Sequence, residues 1–597
     1  MTLKPSPLSE KTGDVNCITK HTKTKGKMKT REFAAALMAA LSLTAAKSEA
    51  ADRKDFQWKG ATVYFLITDR FCNGDTSNDV NYGRINDYGS ERLNAATFHG
   101  GDLTGLRKKA EEGYFKKLGV DVVWMTDVYE QIHGWTAGSG KINDFPHYGY
   151  HGYYPLDYTQ MDKNYGTIED MRQLVDCLHR QGIRVMMGAN INDPGYPTFL
   201  DAVQYGIAPD MGLTEQQAAE HRRDIDYYQW FGGCKNWKNW WTREWIRMDD
   251  EGWDETSKLT MTLYALPDIK TEKTEKVKLP KFLKKKWKTE GKSNDAWVNP
   301  SALALRKDAD MAPADYMIAW IASWVEEFGI DGMRCDIVEY VHLDRWAQLS
   351  EACDKALAKW REKHPDDPAA KWNDRFYMTG DFDYADIDYK ADYAKAGFGS
   401  MVNFYFPKHG DLDAIVTTWQ RYADSLYQHP EWHPFSYLNN SYNRETDMDN
   451  IIDCATTLLL APGAVQLFYG DETRRGLSDA RLNVDSDQAF RSDMNWDSID
   501  TAVLEHFRKL GTIRKQHPAI AAGRQKTIDC HTCTRTADET ILIRLKPVDD
   551  MPVDVSGIYA DGTRLCELYS GQAAVVENGK VNIGKYQNNI AIFAVSR

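Results

Sequence analysis

Short apolar runs alternate with longer amphipathic segments along most of the chain. The runs are rich in Val, Ile, Met and Phe, which is typical of strands buried on both faces, and the segments between them have helical spacing. Eight such runs occur, at residues 62–68, 120–125, 183–189, 330–335, 376–380, 401–406, 435–439 and 464–469. Eight alternating units predict a (β/α)8 barrel, with reactive groups at the carboxyl ends of the strands.

Two regions depart from this alternation. Residues 193–303, between the third and fourth runs, are rich in Trp, Lys and Asp, and the tail after residue 523 reads as short alternating strands. We therefore divide the chain into an upstream extension with a signal peptide (1–50), a first barrel part (51–192), an insertion (193–303), a second barrel part (304–523) and a C-terminal antiparallel β-domain (524–597).

The chain of 597 residues is acidic, with a net charge of −13. Nucleic-acid surfaces need a basic excess, so no nucleic-acid partner is expected. The strongly basic run at residues 270–292 also contains Glu, which favours a solvated part of the insertion over a nucleic-acid site.

The first residues predict export. A basic segment from Met28 leads into the apolar residues 33–46, and Ser48-Glu-Ala50 offers small side chains for cleavage. The apolar stretch is too short to cross a bilayer, so no stable membrane span is expected. We predict a periplasmic or secreted protein whose native precursor starts at Met28.

Ten cysteines are scattered along the chain, and removal of Cys17 with the extension leaves nine. Export permits disulfides, but the spacing leaves their pairing open. The pair Cys530-His-Thr-Cys533 is either half of a metal site, a redox pair or a structural feature of the tail. Without a second pair at zinc spacing, the structural interpretation is favoured.

The fourth run ends in Asp331-Gly-Met-Arg334-Cys-Asp336. Because side chains alternate along a strand, Arg334 and Asp336 share a face. A guanidinium beside a carboxylate orients it and keeps it ionised, as a glycosidase nucleophile requires. The motif alone is equally compatible with a salt bridge at a strand end.

Further segments extend this pattern in chain order. They are Tyr64-Phe-Leu-Ile-Thr-Asp-Arg-Phe71, His99-Gly-Gly-Asp102, Tyr150-His-Gly-Tyr-Tyr154, Leu266-Pro-Asp-Ile269, Met378-Thr-Gly380, Phe435-Ser-Tyr-Leu438, the segment 462–472 and Arg491-Ser-Asp-Met-Asn-Trp496. Together they resemble the α-amylase family of glycoside hydrolases, most closely its periplasmic members, over residues 59–597. The resemblance implies an α-1,4-glucan or maltooligosaccharide ligand, a (β/α)8 barrel, a domain B inserted after the third strand and a C-terminal β-domain.

The resemblance assigns the nucleophile to Asp336 and the general acid to Asp381. The family has a Glu directly after the Gly of the fifth strand, whereas this chain has Gly380-Asp381. The side chain of Asp381 is one methylene shorter, and a misplacement of about 1 Å can cost about 10²-fold in rate. Asp381 is therefore expected to be an impaired acid.

The family's His-Asp pair on the seventh strand is replaced by Ser441-Tyr442 in this chain. A phenol cannot supply the negative charge of that Asp at neutral pH. One electrostatic contact to a transition state is worth about 2.7–4 kcal/mol, so this change predicts strongly reduced hydrolysis.

Two further positions differ from the family pattern. The third-strand sequence Asp-x-x-x-Asn-His becomes Gly188-Ala-Asn-Ile-Asn192-Asp193, and the Lys-His pair after the nucleophile becomes Glu339-Tyr340. Both changes remove groups that hold sugar in the family.

Part of the sugar-binding set is retained. The resemblance implies that Tyr153 stacks on a sugar ring, that His151 donates to a sugar hydroxyl, and that Arg334 and Arg444 keep their places. Aromatic stacking on sugar can outlast lost catalysis. These residues are equally compatible with inherited packing around an inactive cleft.

The resemblance also implies calcium, which prefers six to eight oxygen ligands. One cluster joins the loop after the first strand to the Gly-Gly-Asp motif, and the alternative for it is an Asx-rich turn. A second lies between barrel and insertion, with the carbonyl of Tyr340 as a further ligand. The candidate ligands are Asn73, Asp75, Asn78, Asp79 and Asp102 for the first cluster, and Asn192 and Asp268 for the second.

We therefore predict an exported α-amylase-family protein with lost or strongly reduced hydrolysis, which binds α-glucans or serves as a scaffold. The first alternative is an active retaining α-glucan hydrolase or transglycosylase that uses Asp336 as its nucleophile. The second is an interaction module without a sugar ligand, for which a groove filled by Tyr442 or Tyr340 would be the sign.

Overall fold

The computed structural model describes residues 56–84, 96–137, 146–214, 239–247, 257–263, 266–291, 305–382, 384–477 and 486–596, together with Gln216 and Asn236. Residues 57–597 form one compact unit. The predicted signal peptide and its cleavage point lie outside the described residues. None of the described helices is both long and apolar enough to cross a membrane.

Eight parallel strands close into a barrel. They are β1 (Thr62–Leu66), β2 (Val122–Met125), β3 (Arg184–Ala189), β4 (Gly332–Cys335), β5 (Tyr377–Gly380), β6 (Phe398–Asn403), β7 (Phe435–Tyr437) and β8 (Ala464–Phe468). Each strand pairs with the next, and β8 pairs with β1 in the register Thr62↔Val465. Every residue of β1, β2, β3 and β8 is buried, which explains their nearly continuous apolar sequence.

A helix follows each strand. These helices are α1 (Leu103–Glu111), α2 (Ile168–Arg180), α3 (Pro313–Phe328), α4 (Leu343–Lys363), α5 (Ala391–Lys395), α6 (Ile415–Gln428), α7 (Ile451–Leu459) and α8 (Thr501–Gln516). The predicted barrel is thus confirmed.

One predicted strand position was wrong by three residues, because β6 covers residues 398–403 instead of 401–406. The apolar residues that follow the strand are in contact with neighbouring aromatic rings without being paired in the sheet. The rings of Phe404 and Tyr437 are 5.8 Å apart, and those of Phe406 and Tyr422 are 6.3 Å apart. Apolar character therefore continues beyond the strand.

The insertion between β3 and α3 is described in part. Its strand Ile246–Arg247 pairs with Asp268–Ile269, and the helix Lys281–Thr289 follows. The interpretation of the basic run as solvated was wrong for Lys286, which is buried. Its ammonium group lies 2.7 Å from Glu130, 3.3 Å from Asp157 and 3.0 Å from Glu290, and these carboxylates balance its charge.

The tail forms a six-stranded antiparallel sheet, which confirms the predicted β-rich C-terminal region. Its strands are β9 (Arg524–Asp529), β10 (Thr532–Thr536), β11 (Thr540–Leu545), β12 (Arg564–Glu567), β13 (Gln572–Val575) and β14 (Ile590–Val595), in the order β9-β10-β11-β14-β12-β13. Cys530 is exposed in the β9–β10 turn, whereas Cys533 is buried, and all eight described cysteines are free thiols.

Candidate functional site

The predicted nucleophile and acid meet at one guanidinium. Strands β4 and β5 are neighbours, so Asp336 and Asp381 follow their carboxyl ends side by side. Arg334 Nη1 lies 2.8 Å from Asp336 Oδ1, and Arg334 Nε donates to Asp381 Oδ2 at 3.1 Å. The Nη2 group of Arg334 also pairs with Asp381. One arginine therefore holds both carboxylates.

The buried position of Arg334 makes these contacts strong. Burial by itself lowers the pKa of Arg334, but the carboxylates of Asp336 and Asp381 raise that pKa well above its ordinary value. A carboxylate that accepts hydrogen bonds from a guanidinium is favoured in its ionised form. The arrangement orients Asp336 as a nucleophile requires, and it engages the Asp381 oxygen that an acid would direct at the glycosidic bond.

Two cavities flank Arg334 at the carboxyl ends of the strands. Asp336 lines the first, which also has Trp124, Asp127, Tyr153 and Gly188 in its wall. Asp381 lines the second, together with Tyr153, Ser441 and Tyr442. The two predicted catalytic carboxylates thus line different cavities.

The two predicted sugar-binding residues His151 and Tyr153 lie side by side. The backbone N–H of Tyr153 donates to His151 Nδ1 at 3.0 Å, so Nε2 carries the ring proton. Burial lowers the pKa of His151 well below its ordinary value, so the ring is neutral. Within the described part of the chain, the buried Nε2 has no hydrogen-bond partner. It is a buried donor for which the described residues supply no acceptor.

Tyr442 lies close to the predicted stacking residue. The rings of Tyr153 and Tyr442 are nearly parallel, at 19°, and their centroids are 6.1 Å apart. The guanidinium of Arg491 lies 5.2 Å from the centre of the Tyr442 ring, and Arg491 Nε donates to the carbonyl of Ser441. Tyr442 is 39% exposed, so it sits at the mouth of the second cavity.

Asp193, at the position of the family's sugar-binding His, is buried beyond the end of β3. Its carboxylate accepts from Asn192 Nδ2 at 2.9 Å and from Asn190 Nδ2 at 3.4 Å. Burial, followed by the charge of Asp336, raises the pKa of Asp193 to about 8. Glu339, which replaces the Lys of the family pattern, forms an ion pair with Lys258 from the insertion.

The fourth predicted sugar-binding residue, Arg444, lies in the segment after β7. Its guanidinium donates to the carbonyl of Arg475 at 2.6 Å. Burial, which is the largest effect, lowers the pKa of Arg444. Arg444 thus joins the β7 and β8 segments.

Asp127 lines the first cavity and was missed in the sequence. It follows β2 as Asp336 follows β4, so its position at a carboxyl strand end was the available signal. It is 3% exposed. Burial, with a smaller effect from Asp336, raises the pKa of Asp127 to about 7.

The structure brings the residues of the first predicted calcium cluster together, but these residues differ in how many hydrogen-bond partners the protein gives them. Buried Asn73 Oδ1 and Asn78 Oδ1 have no hydrogen-bond partner among the described residues, and Asn73 Nδ2 donates to Asp79 Oδ1 at 2.8 Å. Gly100 has φ +91°, and a Cβ there would lie 2.5 Å from Asn73 Nδ2 and 2.6 Å from Asp79 Oδ1, so only glycine permits this approach.

The other two members of this cluster have protein partners. Asp102 caps α1 by accepting from the backbone of Gly105 at 2.6 Å, and it also accepts from the N–H groups of Gly74 and Asp75. The exposed Asp75 caps a short turn through the N–H of Ser77. Asn73, Asn78 and Asp79 therefore fit a cation best.

The second predicted calcium cluster already contains a positively charged side chain, that of Arg247. Asn192 Oδ1 is buried without a hydrogen bond in the described structure, and the backbone N–H of Ile269 donates to the carbonyl of Asn192, which joins the two segments. Arg247 Nη1, however, lies 3.2 Å from Asp268 Oδ2. The guanidinium balances the charge that calcium would need, so these residues fit calcium poorly.

Comparison with known proteins identifies relatives. Residues 65–379 match the family model for the α-amylase catalytic domain. The periplasmic alpha-amylase of Escherichia coli (strain K12) is 38% identical over 497 residues, which are 79% of this chain and 69% of that protein. The maltogenic alpha-amylase of Bacillus acidopullulyticus is 23% identical over 559 residues, 88% of this chain and 76% of that protein.

Solved structures share the fold. An Anoxybacillus alpha-amylase has a TM-score of 0.59 at 18% identity and covers 91% of this chain and 99% of its own. The alpha-amylase of Geobacillus thermoleovorans, complexed with acarbose, has a TM-score of 0.58 at 18% identity and covers 91% and 100%. At this identity the likeness shows the fold alone.

Proposed function

Because this chain belongs to the α-amylase family of glycoside hydrolases, we propose that it binds α-1,4-glucans in the cleft around Arg334 and hydrolyses them slowly or not at all. The observation that carries the proposal is the shared guanidinium, which ties the predicted acid Asp381 into the same ion pair as the nucleophile Asp336.

The case for retained binding rests on His151 and Tyr153. A buried donor without a protein partner costs about 1–3 kcal/mol, and a sugar hydroxyl can satisfy it. The neighbouring tyrosine offers a flat apolar face of the kind that stacks on a sugar ring. Together they supply one directional and one apolar contact for a hexose.

The case for reduced hydrolysis rests on charge. A retaining glycosidase needs one ionised carboxylate and one protonated carboxyl group facing the same bond. Here Arg334 binds both carboxyl groups, and the phenol of Tyr442 stands where the family has a carboxylate. Loss of one such stabilising contact costs roughly 10²–10³-fold in rate.

One observation favours an interaction module without a sugar ligand. A sugar ring between two aromatic faces needs roughly 3.5–4 Å on each side, so the two aromatic rings must be roughly 7–8 Å apart. The centroids of Tyr153 and Tyr442 are only 6.1 Å apart. Stacking of a glucan on the face of Tyr153 toward Tyr442 therefore requires the Tyr442 ring to turn away, and a Tyr442 that stays in place supports the module.

Titration of the purified protein with maltoheptaose by calorimetry tests the proposal. We expect a dissociation constant between micromolar and millimolar, weakened about tenfold by Tyr153→Ala. Tyr427→Ala, which removes a 61% exposed tyrosine at the end of α6, is the matched control and should not change binding. Absence of heat at high maltoheptaose would leave the interaction module, and fast hydrolysis would favour the active enzyme.

For calcium, we propose that Asn73, Asn78 and Asp79 hold one ion. The ion would supply positive charge and rigidity to the loop after β1. A ligand at about 100 times its dissociation constant stabilises a protein by about 2.7 kcal/mol. We therefore expect calcium to raise the melting temperature by a few degrees, and chelator to reverse it.

Variants separate a specific site from general salt effects. Asn73→Ala and Asn78→Ala should abolish the calcium response, whereas Asn582→Ala, in the C-terminal region, should keep it. A melting temperature that chelator leaves unchanged in the native chain would exclude the site.

We also propose export to the periplasm or beyond. The proposal is supported by the basic and apolar segments from Met28 to Ala50 and by the periplasmic alpha-amylase among the relatives. Cell fractionation of the full chain, with N-terminal sequencing of the product, tests it: we expect a mature chain that starts near Ala51.

A further inference from the structure

Asp127 has an incomplete set of partners for a buried carboxyl group. It lies two residues beyond the end of β2, and it shares a cavity wall with Tyr153, Arg334 and Asp336. The backbone N–H of Gly188 hydrogen bonds to the carboxyl group. Its Oδ1 atom is buried and lacks any hydrogen-bond partner in the described ranges. A carboxyl group with a purely structural role normally has both oxygens bonded.

The space for this carboxyl group comes from the neighbouring strand. Strand β3 pairs with β2, and a Cβ at Gly188 would lie 2.3 Å from Asp127 Oδ1 and 2.8 Å from Oδ2. The carboxyl group therefore fills the space that a side chain at position 188 would occupy. Gly188 is also the position at which the third-strand sequence departs from Asp in the family pattern.

We propose that Asp127 is a sugar-contacting carboxyl group of this cleft, and that Gly188 is the residue that admits it. The proposal rests on the glucan binding proposed above. Asp127 Oδ1 and His151 Nε2 are both buried, and neither has a hydrogen-bond partner among the described residues. Tyr153 lines the cavity of Asp127 and contacts the His151 ring. A molecule rich in hydroxyl groups can donate to one and accept from the other, whereas an apolar ligand would satisfy neither.

The electrostatics agree with this geometry. With a pKa of about 7, Asp127 is largely protonated in mildly acidic solution. It then exchanges hydrogen bonds with a hydroxyl group without adding a second negative charge beside Asp336. A charged ligand is not needed to balance it.

A double-mutant cycle tests both halves of the proposal. We expect Asp127→Ala to weaken maltoheptaose binding about tenfold in calorimetry and Asp127→Asn, which keeps an acceptor oxygen, to weaken it less. Gly188→Ala should weaken binding to a similar extent and also lower the melting temperature, because the methyl group meets the carboxyl group. In the double variant Asp127→Ala/Gly188→Ala, the melting temperature should recover while binding stays weak.

Asp121 provides the matched control, because it precedes β2 at the opposite end of the same strand and pairs with Lys515. Asp121→Ala should leave maltoheptaose affinity unchanged. If the native chain binds and Asp127→Ala binds equally well, the contact is excluded while glucan binding stands. A Gly188→Ala variant with native melting temperature and native affinity would exclude the proposal that Gly188 makes room for the Asp127 carboxyl group. If the native chain and every variant fail to bind, the proposed function itself fails and the sugar contact with it.

Discussion

The two sides of Arg334 differ in which groups of the protein surround each carboxylate. On the side of Asp336, the cavity has Asp127 Oδ1 without a partner, and the nearby His151 Nε2 also lacks one in the described structure. On the side of Asp381, the carboxylate is bound by Arg334, and Tyr442 contacts Tyr153 and Arg491. The first side leaves a buried carboxyl oxygen open to a ligand, whereas on the second the Tyr442 ring lies against Tyr153, and only Ser441 Oγ in that cavity wall lacks a partner among the described residues.

The difference is consistent with the proposal that hydrolysis is reduced while the nucleophile is kept. Asp336 has the same arginine that would orient it in a working enzyme, so its own surroundings give no sign of inactivity. The proposed loss of hydrolysis is instead attributed to the groups that must face Asp336. A binding cleft requires only satisfied polar groups and apolar contact, whereas hydrolysis requires two carboxyl groups in opposite protonation states at one bond.

The largest expected effect tests whether the Asp381 side is the cause of lost turnover. Restoration of the family residues by Asp381→Glu, Tyr442→Asp, Ser441→His and Asp193→His together should raise hydrolysis of maltoheptaose by about 10²-fold or more over the native chain. Asp381→Glu alone should recover little, because the developing positive charge remains poorly held. Steady-state rates are the measurement.

The Asp336→Asn variant, which lacks the predicted nucleophile, gives the background rate of hydrolysis for this comparison. The native chain should hydrolyse maltoheptaose about 10³-fold or more slowly than an intact relative, close to the Asp336→Asn rate. Robust native turnover that Asp336→Asn abolishes would show that the two sides already cooperate, and the active-enzyme alternative would replace the proposal.

The sequence allowed the fold to be predicted because parallel barrel strands are buried on both faces. Their apolar runs are therefore nearly continuous, and only β6 was displaced, by the apolar residues Phe404 and Phe406 that follow it. The position of Asp336 followed from its spacing to Arg334 on one strand. Local pattern is sufficient where a feature depends on one strand.

Contacts between strands could not be predicted in this way. Three contacts depend on side-chain directions across neighbouring strands. They are the pairing of Arg334 with Asp381, the packing of Tyr442 along Tyr153, and the position of the Asp127 carboxyl group beside Gly188. Lys286 illustrates the same limit, since this lysine of a basic run is buried against Glu130 and Asp157 from distant segments as well as Glu290 one helical turn away.

A smaller effect concerns the pH dependence of stability on the Asp336 side. The folded-state pKa of Asp127 is raised from 3.8 to about 7. Because the pKa is raised, the contribution of Asp127 to the free energy of unfolding is fully present below about pH 4, and it is lost as the pH rises to about 7. The shift of about three pH units corresponds to at most roughly 4 kcal/mol.

Urea unfolding of the native chain and Asp127→Asn at pH 4 and pH 8 measures this contribution. Asp127→Asn should gain stability relative to the native chain on going from pH 4 to pH 8, by a few kcal/mol at most. Asp69 and Asp471, whose pKa values burial raises to about 6 and about 7, act equally in both proteins. An unchanged difference between the two pH values would show that Asp127 is ionised at both and would weaken the contrast between the two sides.

The smallest expected effect concerns Tyr442, which decides whether the Asp381 side obstructs the ligand or helps to hold it. Since the Tyr153 and Tyr442 rings are too close to admit a sugar between them, binding carries the cost of turning Tyr442 away. Tyr442→Ala should therefore strengthen maltoheptaose binding about threefold to tenfold in calorimetry, in line with the roughly 0.5–1.5 kcal/mol of an aromatic pair. Tyr442→Phe keeps the ring and should bind as the native chain does. Weaker binding by Tyr442→Ala would identify Tyr442 as a second stacking surface, and the two sides of the cleft would then act together on the glucan.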